Sequence, residues 1–443
     1  MPKTFSRGGI HPSECKLSTD KPTRELPLPG SVVVPLSQHI GALPSVVVKV
    51  GDVVKTGQLL ATGSGFVSSN LHSPVSGTVK KIDNLPDAGG YKRPAIQIER
   101  DGDIWLDEID RSETLVKEIR LSSKEIQTKI AAAGIVGLGG ATFPTHVKLA
   151  VPPGKVAELV VVNGVECEPY LTCDHRLMLE KGAEIMVGVS LLMKALGVGK
   201  AIIGIEENKP DAIALLTTLA GGFQGITVQK LKVKYPQGGE KQLIEALTGK
   251  EVPSGKIPVD VGVVPFNIAS VFAVYEAVQK NKPLIERIIT VTGPEVKEPS
   301  NLKVRIGTPI REVIGAAGDI PQTTGKIIAG GPMMGRTLVT VDAPVTKGVS
   351  GLLLLPASQA RRAAPQACIR CGKCVEVCPM GLEPYLLERL SAKELYERAE
   401  DACIVDCIEC GSCQYTCPAN RPLLDRIRLG KAATLRLIKS RRS

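Results

Sequence analysis

Aromatic residues and long apolar runs are scarce in this chain of 443 residues. Aromatic side chains make up 3% of the chain, and the longest apolar stretch worth testing, GVSGLLLLPA (348–357), is far shorter than the roughly 18 residues that a membrane-spanning helix needs. The N-terminal stretch MPKTFSRGGIHP has no apolar core, so we expect no secretion signal. The sequence also lacks a Ser-His-Asp set and a paired-carboxylate arrangement. We therefore expect neither a membrane span nor a hydrolase.

Acidic residues are absent after Asp425, and this absence accounts for most of the net charge of +10. The seven cations that follow are Arg426, Arg428, Lys431, Arg436, Lys439, Arg441 and Arg442. Without them the 55 basic residues fall to 48, against 45 acidic residues. Such a basic tail can meet an acidic protein, anionic lipid or nucleic acid, or it can be a solvated terminal helix. Because it holds no aromatic residue for base stacking, we expect no nucleic-acid partner.

Twelve cysteines are present, and eight of them lie in two short runs. The runs CIRCGKCVEVCP (368–379) and CIECGSCQYTCP (407–418) each spell C-x2-C-x2-C-x3-C-P. Three thiolates at this spacing wrap one corner of an iron–sulfur cubane, whereas the fourth, before proline, reaches the other cluster. Zinc sites instead favour C-x2-C pairs separated by a longer loop. The distribution therefore indicates metal binding in a reducing compartment rather than disulfides.

The spacing predicts two [4Fe–4S] clusters with interleaved ligands. We assign cluster one to Cys368, Cys371, Cys374 and Cys417, and cluster two to Cys407, Cys410, Cys413 and Cys378. Gly372 and Gly411 should allow the tight turns between ligands. Cys403 is left outside this pattern, and we interpret it as a buried thiol near a cluster. Since a cubane passes one electron at a time, the two clusters predict a short electron-transfer chain.

The composition and the hydrophobic pattern of the sequence change at four points along the chain, which predicts an α/β protein of several domains. Residues 1–110 are rich in Val, Pro and Gly and read as short alternating strands. Residues 111–282 alternate helices with apolar runs, and residues 283–360 return to short strands. Residues 361–420 carry the cysteine runs in a small, largely helical domain, and residues 421–443 form the basic tail.

The first segment resembles a lipoyl- or biotinyl-type barrel-sandwich domain. The stretches VVVKVGDVVKTGQLLATG and SPVSGTVKKI look like its two halves, each turning on glycine. Such domains carry their cofactor on a lysine at a hairpin tip between the halves. The corresponding stretch here, TGSGFVSSNLH, contains no lysine, so we expect the fold without the attached cofactor.

The second segment predicts an α/β domain with a largely parallel sheet. Its first helix should begin at an N-cap on Ser122 or Ser123, with Glu125 in the first turn, and stop at Gly134. The stretch HRLMLEKGAEIMVGVSLLMKALG reads as one long helix that ends at Gly197. A ligand is expected at the carboxyl ends of the strands of such a sheet.

Four segments of this domain have unusual compositions, and the first of them follows a helix and a turn. The loop GLGGATFPTHVK (137–148) is rich in glycine, which suits close approach of the backbone to a flat or phosphorylated ligand, although a plain tight turn also fits. It is not a Rossmann fingerprint, because Pro144 interrupts it. The other loops are VVVNGVECEPYLTCDHR (160–176), YPQGGEKQLI (235–244) and VVPFNIAS (263–270).

At these loops the chain resembles the flavin- and NADH-binding subunit of respiratory complex I. The order of the modules is similar to that of the RnfC family, from the Rnf ion-translocating oxidoreductase complexes: FSRGGIHP, the barrel-sandwich part, the FMN/NADH domain, a β-grasp-like soluble-ligand-binding segment and the two cubane motifs. The β-grasp-like segment is TVTGPEVKEPSNLKVRIGTPIREVIGAAG, followed by AGGPMMG. The resemblance covers nearly the whole chain.

The resemblance implies a set of FMN and NADH contacts. FMN would be contacted, chiefly on its phosphate side, by Gly137, Gly139, Gly140 and Lys148. Phe143 and Glu168 would flank the NADH ring. The pocket would be completed by Asn163, Glu166, Tyr235, Gly238, Glu240 and Asn267. Leu138 stands where complex I has arginine, and Thr142 replaces a usual glycine. Cys167 reads as a packed thiol.

The implied function is that of a peripheral electron-transfer protein at the cytoplasmic face of the cell membrane. Electrons would move between NAD(H) and ferredoxin through FMN and two [4Fe–4S] clusters. Integral-membrane and ferredoxin-like partner subunits would couple this transfer to transport of Na⁺ or H⁺, and the basic tail would help the docking.

Two other functions fit parts of the sequence. A stand-alone NADH-dependent flavin and iron–sulfur reductase, such as a cobalamin reductase, would share these modules but place the barrel-sandwich part at the C-terminus. A non-catalytic iron–sulfur relay scaffold would keep the clusters and bind no flavin.

Overall fold

Residues 24–100 supply eight short strands in the computed structural model, which describes residues 1–441. Alternating valine-rich segments form them, because inward side chains such as Val32, Leu60 and Ile96 pack in one apolar core. The strands are β1 (Arg24–Glu25), β2 (Ser31–Pro35), β3 (Ser45–Val46), β4 (Val53–Val54), β5 (Leu59–Thr62), β6 (Leu71–His72), β7 (Gly77–Pro86) and β8 (Lys92–Arg100). One sheet has the order β2-β8-β7-β4 and a second β3-β5-β6, whereas β1 joins a later sheet.

The turn between β5 and β6, where a lipoyl lysine would stand, packs against the neighbouring domain. The side-chain amide of Asn70 donates to the carbonyl of Ala132 at 3.1 Å. The preceding loop also takes part, since the amide of Ile40 donates to the carbonyl of Thr142 at 3.3 Å. The barrel-sandwich part is therefore fixed beside the glycine-rich loop.

The central domain is built on a four-stranded parallel sheet in the order β11-β10-β9-β12, as predicted. Its strands are β9 (Leu159–Asn163), β10 (Ala201–Glu206), β11 (Ile226–Leu231) and β12 (Val263–Asn267). Its helices are α1 (Ser123–Ala132), α2 (Thr145–Leu149), α3 (Cys173–Glu180), α4 (Gly182–Leu196), α5 (Pro210–Ala220), α6 (Glu240–Thr248) and α7 (Ile268–Gln279). Buried aliphatic side chains of both faces of the sheet form the largest core of the described chain.

Two helix predictions have different outcomes. The N-cap prediction is confirmed, because Ser122 and Glu125 form a reciprocal capping box at the start of α1. The single long helix was wrong: the chain breaks at Lys181 into α3 and α4. A Cβ at Gly182 would lie 2.9 Å from Leu219, so the break and the glycine together let α4 begin close against α5. The predicted end at Gly197 is confirmed by its left-handed conformation.

A six-stranded mixed sheet with the order β1-β14-β13-β17-β15-β16 takes five of its strands from residues 286–356. Its elements are β13 (Glu286–Thr292), β14 (Ser300–Arg305), α8 (Ile310–Gly315), β15 (Thr324–Ala329), β16 (Arg336–Thr337) and β17 (Gly351–Pro356). The N-terminal strand β1 pairs in parallel with β14, so this sheet is completed by a distant part of the chain.

The cysteine runs lie in a helical domain. The short helix α9 (Ala357–Ala360) still packs on β15 and β17 of the preceding sheet. The helices of the cysteine-bearing domain are α10 (Lys373–Glu376), α11 (Pro384–Ala392), α12 (Tyr396–Asp401), α13 (Ser412–Tyr415) and α14 (Leu423–Ser440). Gly372 and Gly411 have φ of 75° and 80° directly before α10 and α13, which confirms the tight turns expected there. Among residues 1–441, none of the helices combines the length and the apolarity that crossing a bilayer requires.

Most of the basic tail is a packed helix rather than a free tail. Helix α14 buries Leu423 and Ile427 against the apolar core of the cluster domain. Several of its cations pair with that domain: Arg426 lies 3.0 Å from Glu388, and Arg428 lies 3.1 Å from Glu409. These positive charges are thus partly used inside the chain. Arg442 lies outside the described residues.

Lys347 joins three domains without appearing in any sequence prediction. Its side chain is buried, and Nζ donates to the carbonyls of Asn70, at 3.0 Å, and Gly134, at 2.7 Å. Burial lowers the pKa of this ammonium to about 7. In the unfolded chain a lysine has a pKa of about 10.4. At pH values between the two pKa values, the unfolded chain therefore binds more protons than the folded protein.

We expect the free energy of unfolding to rise from pH 7 to pH 9 by up to about 1.4 kcal/mol per pH unit through this residue, because the buried ammonium penalises folding until it loses its proton. Denaturant unfolding of Lys347→Met should show a smaller rise than the parent protein. Lys117→Met, at an exposed lysine, is the control and should keep the parent slope. An unchanged slope in Lys347→Met would contradict the assignment.

Candidate redox site

Two asparagines mark the carboxyl ends of adjacent strands. Asn163 ends β9 and Asn267 ends β12, and the parallel register pairs them directly. The glycine-rich loop lies against them, because a Cβ at Gly139 would sit 3.4 Å from the Cβ of Asn267. Behind the loop, the hydroxyl of Ser270 accepts the amide of Leu138 at 2.8 Å. The loop thus crosses the edge of the sheet where a ligand was expected.

The glycine-rich loop is held by hydrogen bonds between its own backbone groups, and its glycines face solvent. The amide of Gly137 donates to the carbonyl of Phe143 at 2.9 Å, and the amide of Thr142 donates to the carbonyl of Gly137 at 3.1 Å. Gly140 has a φ of 106°, and a Cβ placed there would meet no atom within 4 Å. Gly139 and Gly140 are exposed, and Phe143 is half-buried. This surface leaves room for a flat ligand beside the backbone.

A cation and a helix N-terminus meet at one side of the loop. Lys148 Nζ lies 2.7 Å from the carboxylate of Glu240 and 3.0 Å from the carbonyl of Pro265. Glu240 begins α6, whose N-cap residue, Gly239, supplies no side-chain hydrogen bond to the first turn. Free amides at a helix N-terminus beside a lysine suit a phosphate group.

Asn163 and Cys167 hold the third loop in place. The side-chain amide of Asn163 donates to the carbonyl of Gly238 at 2.8 Å. The amide of Gly238 donates to the Cys167 thiol at 3.3 Å, and burial raises the pKa of that thiol. Cys167 therefore behaves as a packed thiol, in agreement with its interpretation from the sequence.

Glu166 and Glu168 have their carboxylates engaged by backbone amides. Glu166 accepts the amide of Asp174 at 2.7 Å, at the start of α3. Glu168 accepts the amides of Met333, at 3.0 Å, and Met334, at 2.7 Å, from the GGPMMG loop. Burial raises the pKa of Glu168 to about 7. The contact of Glu168 with NADH therefore stays a prediction, and its visible role is to hold that loop.

Sequence reasoning missed the buried Cys173 and the half-buried Asp174, which lie beside Glu166. Asp174 accepts the side-chain amide of Asn267 at 2.8 Å, and the Cys173 thiol lies 3.5 Å from Glu166. Burial, together with the charge of Glu166, raises the pKa of Asp174 to about 7, and the buried Arg287 opposes this rise. The pair Cys-Asp follows the strand-end loop in the sequence, and this placement was the available signal.

Cluster two has a formed site. A small cavity is lined by the four sulfur-bearing residues assigned to it, Cys378, Cys407, Cys410 and Cys413, together with apolar side chains such as Leu382 and Ile427. Burial, and then the proximity of the other thiols, raises the pKa of Cys407 to about 11 and that of Cys413 further. Four thiols around an apolar cavity fit a [4Fe–4S] cluster.

The site of cluster one lies at the surface. Cys374 has Cys417 and Cys368 as its electrostatic neighbours, so a cysteine of the second run joins two of the first. Cys368 and Cys371 are exposed. Cys417 thus lies near Cys374 and Cys368, and the division of the ligands between the two clusters stays a prediction.

Cys403 is exposed, so its interpretation as a buried thiol was wrong. It has a left-handed φ of 59° and directly precedes the 3-10 turn Ile404–Asp406. A short turn that leads into the second cysteine run points its side chain outward, which the sequence pattern does not encode.

Tyr235 connects the pocket with the buried cluster site. Its ring is 2% exposed, and its hydroxyl donates to the carbonyl of Cys410 at 2.7 Å. Met333 packs in the same apolar cluster, which also contains Ile10 and the Cys167 side chain. Tyr235, which the resemblance assigns to the flavin pocket, therefore lies beside the second cysteine run.

We expect Tyr235→Phe to lower the free energy of unfolding by about 1 kcal/mol, because the buried carbonyl of Cys410 loses its donor. Denaturant unfolding of the cluster-loaded protein measures the change. Tyr91→Phe removes a hydroxyl from a ring that is 67% exposed and should leave stability unchanged. Equal stability of both variants would show that the buried hydrogen bond contributes nothing.

Four family models match successive parts of the chain. They describe a RnfC barrel sandwich hybrid domain (residues 4–103), a Nuo51 FMN-binding domain (130–276), an SLBB domain (288–337) and a 4Fe-4S dicluster domain (360–422). The C subunit of the proton-translocating ferredoxin:NAD(+) oxidoreductase complex of Clostridium ljungdahlii is 48% identical over 437 residues, which cover 98% of this chain and 94% of that protein. The chain belongs to the RnfC family.

Other comparisons agree with this membership. The C subunit of the Na(+)-translocating ferredoxin:NAD(+) oxidoreductase complex of Acetobacterium woodii is 46% identical, with 96% of each chain covered. Among solved structures, a chain of an NAD+-reducing [NiFe]-hydrogenase in the air-oxidized state superposes with a TM-score of 0.50 at 19% identity, over 71% of this RnfC chain and 66% of that chain. At this identity the likeness shows the fold alone.

The matches confirm the predicted resemblance and the order of modules in the RnfC family. The barrel-sandwich, FMN-binding, soluble-ligand-binding and dicluster parts are all present. The match to an FMN-binding domain counts against a scaffold without flavin. The long coverage of the relatives counts against the cobalamin reductase alternative.

Proposed function

We propose that this RnfC protein exchanges electrons with NAD(H) at a flavin pocket on the ends of β9 and β12, and connects this pocket to two [4Fe–4S] clusters. It is an oxidoreductase subunit of an ion-translocating ferredoxin:NAD+ oxidoreductase complex. When bound, FMN would supply hydride exchange with NAD(H) and one-electron exchange with the clusters, and the residues of the pocket and of the two cysteine runs would hold these groups in place. The observation that carries the proposal is the hydrogen bond from Tyr235, in the pocket, to Cys410, in the second cysteine run.

For the flavin, we assign different roles to the two sides of the pocket. Lys148 and the uncapped amides of α6 hold the phosphate, supported by the charge of the lysine and the orientation of the helix. Gly139 and Gly140 let the backbone approach the ligand. Asn163 and Asn267 form the floor at the strand ends.

For the clusters, we assign cluster two as the inner site and cluster one as the outer site. The inner position is supported by the cavity around Cys410 and by its contact with Tyr235. The outer position is supported by the exposure of Cys368 and Cys371. The domain limits given from the sequence, at residues 110, 282, 360 and 420, are part of the same proposal.

The protein acts within a multi-subunit complex that translocates ions, and we assign its docking face to the surroundings of cluster one. Residues 361–373 are all exposed, and their charged members, Arg361, Arg362, Arg370 and Lys373, are all cations. This face suits an acidic partner that carries its own redox centre, such as a ferredoxin-like protein. Integral-membrane partners would hold the chain peripherally at the cytoplasmic face.

Helix α14 is a less accessible docking element than a free tail would be. Because it packs on the cluster domain, truncation before Arg426 would disturb the fold as well as the charge. Charge reversal at the exposed Arg436 and Lys439 separates these two effects. Loss of membrane retention in that double variant at moderate salt would support docking through α14. Unchanged retention would show that α14 does not take part in docking.

The proposal is tested by cofactor analysis and NADH titration of the purified protein. Iron, sulfide and flavin content should correspond to two cubane clusters and one FMN in each chain. Anaerobic addition of NADH should bleach both flavin and cluster absorbance. Cluster-loaded protein without flavin, or flavin reduction that never reaches the clusters, would contradict the proposed path.

A further inference from the structure

The N-terminal stretch KTFSRGGI, which overlaps the FSRGGIHP motif, forms a strap along the parallel sheet. We call residues 3–10 the strap. Lys3 makes a parallel bridge to Leu231, at the end of edge strand β11, with its amide donating to Lys230 at 3.1 Å. Farther on, Ile10 and Tyr235 exchange two backbone hydrogen bonds of 2.8 Å. The strap therefore fixes the backbone that leads into the flavin pocket.

The other side of the strap holds a ligand of cluster two. The amide of Gly9 donates to the carbonyl of Val377 at 2.9 Å. Gly8 has a φ of 66°, and a Cβ at this position would lie 2.6 Å from the carbonyl carbon of Cys378. No side chain fits between this part of the strap and the end of the first cysteine run.

Ile10 contributes the apolar part of the same junction. Its side chain is buried in one cluster with Tyr235 and Cys410, against which Val377 and Met333 also pack. The strap therefore contacts the pocket through Tyr235, the first cysteine run through Cys378, and the second run through Cys410. Both runs supply ligands assigned to cluster two.

We propose that the strap sets the separation between the flavin pocket and cluster two, and that Gly8, Gly9 and Ile10 are positioning residues for electron transfer between them. The proposal rests on the proposed function. Each hydride from NADH brings two electrons, which leave the pocket singly, first to cluster two and then to cluster one. The strap itself contains no group that is oxidised or reduced.

The glycines explain why the strap can perform this task. Alanine at Gly8 would combine an unfavourable positive φ with a contact of 2.6 Å to backbone that cannot rotate away. The Cys378 turn would have to move outward. The glycine-rich loop makes none of the strap's backbone hydrogen bonds described above. The hydride step should therefore be spared.

The test compares cluster-loaded Gly8→Ala and Ile10→Ala with Gly225→Ala. Gly225 also has a positive φ, and its Cβ would collide with the carbonyl of Gly199, but it lies at the amino end of the sheet. Rapid mixing with NADH gives separate rates for flavin and cluster reduction. Pulsed EPR of partly reduced protein gives the distance between the flavin and cluster two, which does not depend on turnover.

We expect flavin reduction at the parent rate in all three variants. In Gly8→Ala and Ile10→Ala, cluster reduction should slow severalfold, because the rate of electron transfer between two separate groups falls steeply as their separation grows. The EPR distance should increase in Gly8→Ala, and its distribution should broaden in Ile10→Ala, which loosens the packing without a clash. Gly225→Ala should keep the parent values.

Parent cluster-reduction rates and EPR distances in both strap variants would overturn the inference, as would equal slowing in Gly225→Ala. If Gly8→Ala does not load its clusters, the measurements on Ile10→Ala test the inference alone, because that substitution introduces no clash. Failure of the proposed function looks different. In that case NADH would not reduce the flavin of the parent protein, whatever the strap variants do.

Discussion

Cys410→Ala should stop NADH from reducing either cluster while NADH still reduces the flavin. Cys410 lines the cavity assigned to cluster two, and its carbonyl accepts the hydroxyl of Tyr235, so this site lies next to the pocket. Without cluster two, electrons on the flavin have no near acceptor. Freeze-quench EPR after mixing with NADH should show no reduced cluster signal.

Two other cysteine variants separate the roles of the clusters. Cys371→Ala removes an exposed ligand of cluster one, so NADH should still reduce cluster two but delivery to an external acceptor should stop. Cys403→Ala is the matched control, since this cysteine is also exposed and lies outside both ligand sets. Reduction of cluster one in Cys410→Ala, or a loss of iron in Cys403→Ala, would contradict the assignment.

Lys148→Met should weaken FMN binding by about tenfold to a hundredfold, because a hydrogen bond to a charged group contributes about 1.5–3 kcal/mol. The ammonium of Lys148 is three-quarters buried and held near the N-terminus of α6, where we place the phosphate. Titration of the flavin-free protein with FMN, followed by quenching of flavin fluorescence, measures the dissociation constant.

Lys155→Met is the control for this change. Its side chain has a similar exposure and an equally close partner, since Lys155 lies 2.7 Å from Asp260. It should keep the parent affinity for FMN. An equal loss in both variants would indicate a general effect of charge or stability, and an unchanged affinity in Lys148→Met would remove this residue from the phosphate site.

Predictions from local sequence succeeded where a short pattern has one structural solution. The capping box of Ser122 and Glu125 involves residues three apart, and the turns at Gly372 and Gly411 need only a residue that tolerates positive φ. The strand end at Asn163 follows from alternating helices and apolar runs. In each case the determining contacts lie within a few residues of one another.

The features that sequence reasoning missed depend on distant partners. The strap contacts Tyr235 and Cys378 largely through its backbone, so the pattern of side chains in the sequence does not predict these contacts. Glu168 binds amides from the GGPMMG loop, and the amides of a distant loop are invisible in a residue pattern. The tail resembled a solvated helix because its cations are visible in sequence, whereas their partners Glu388 and Glu409 are not.

The most direct test of the proposed path is the order in which the redox groups of the parent protein become reduced after rapid mixing with a limiting amount of NADH. Freeze-quench EPR combined with absorbance resolves the flavin, the buried cluster on Cys407, Cys410, Cys413 and Cys378, and the exposed cluster on the other four cysteines. We predict that the flavin is reduced first, the buried cluster next and the exposed cluster last. Reduction of the exposed cluster before or together with the flavin would contradict this path.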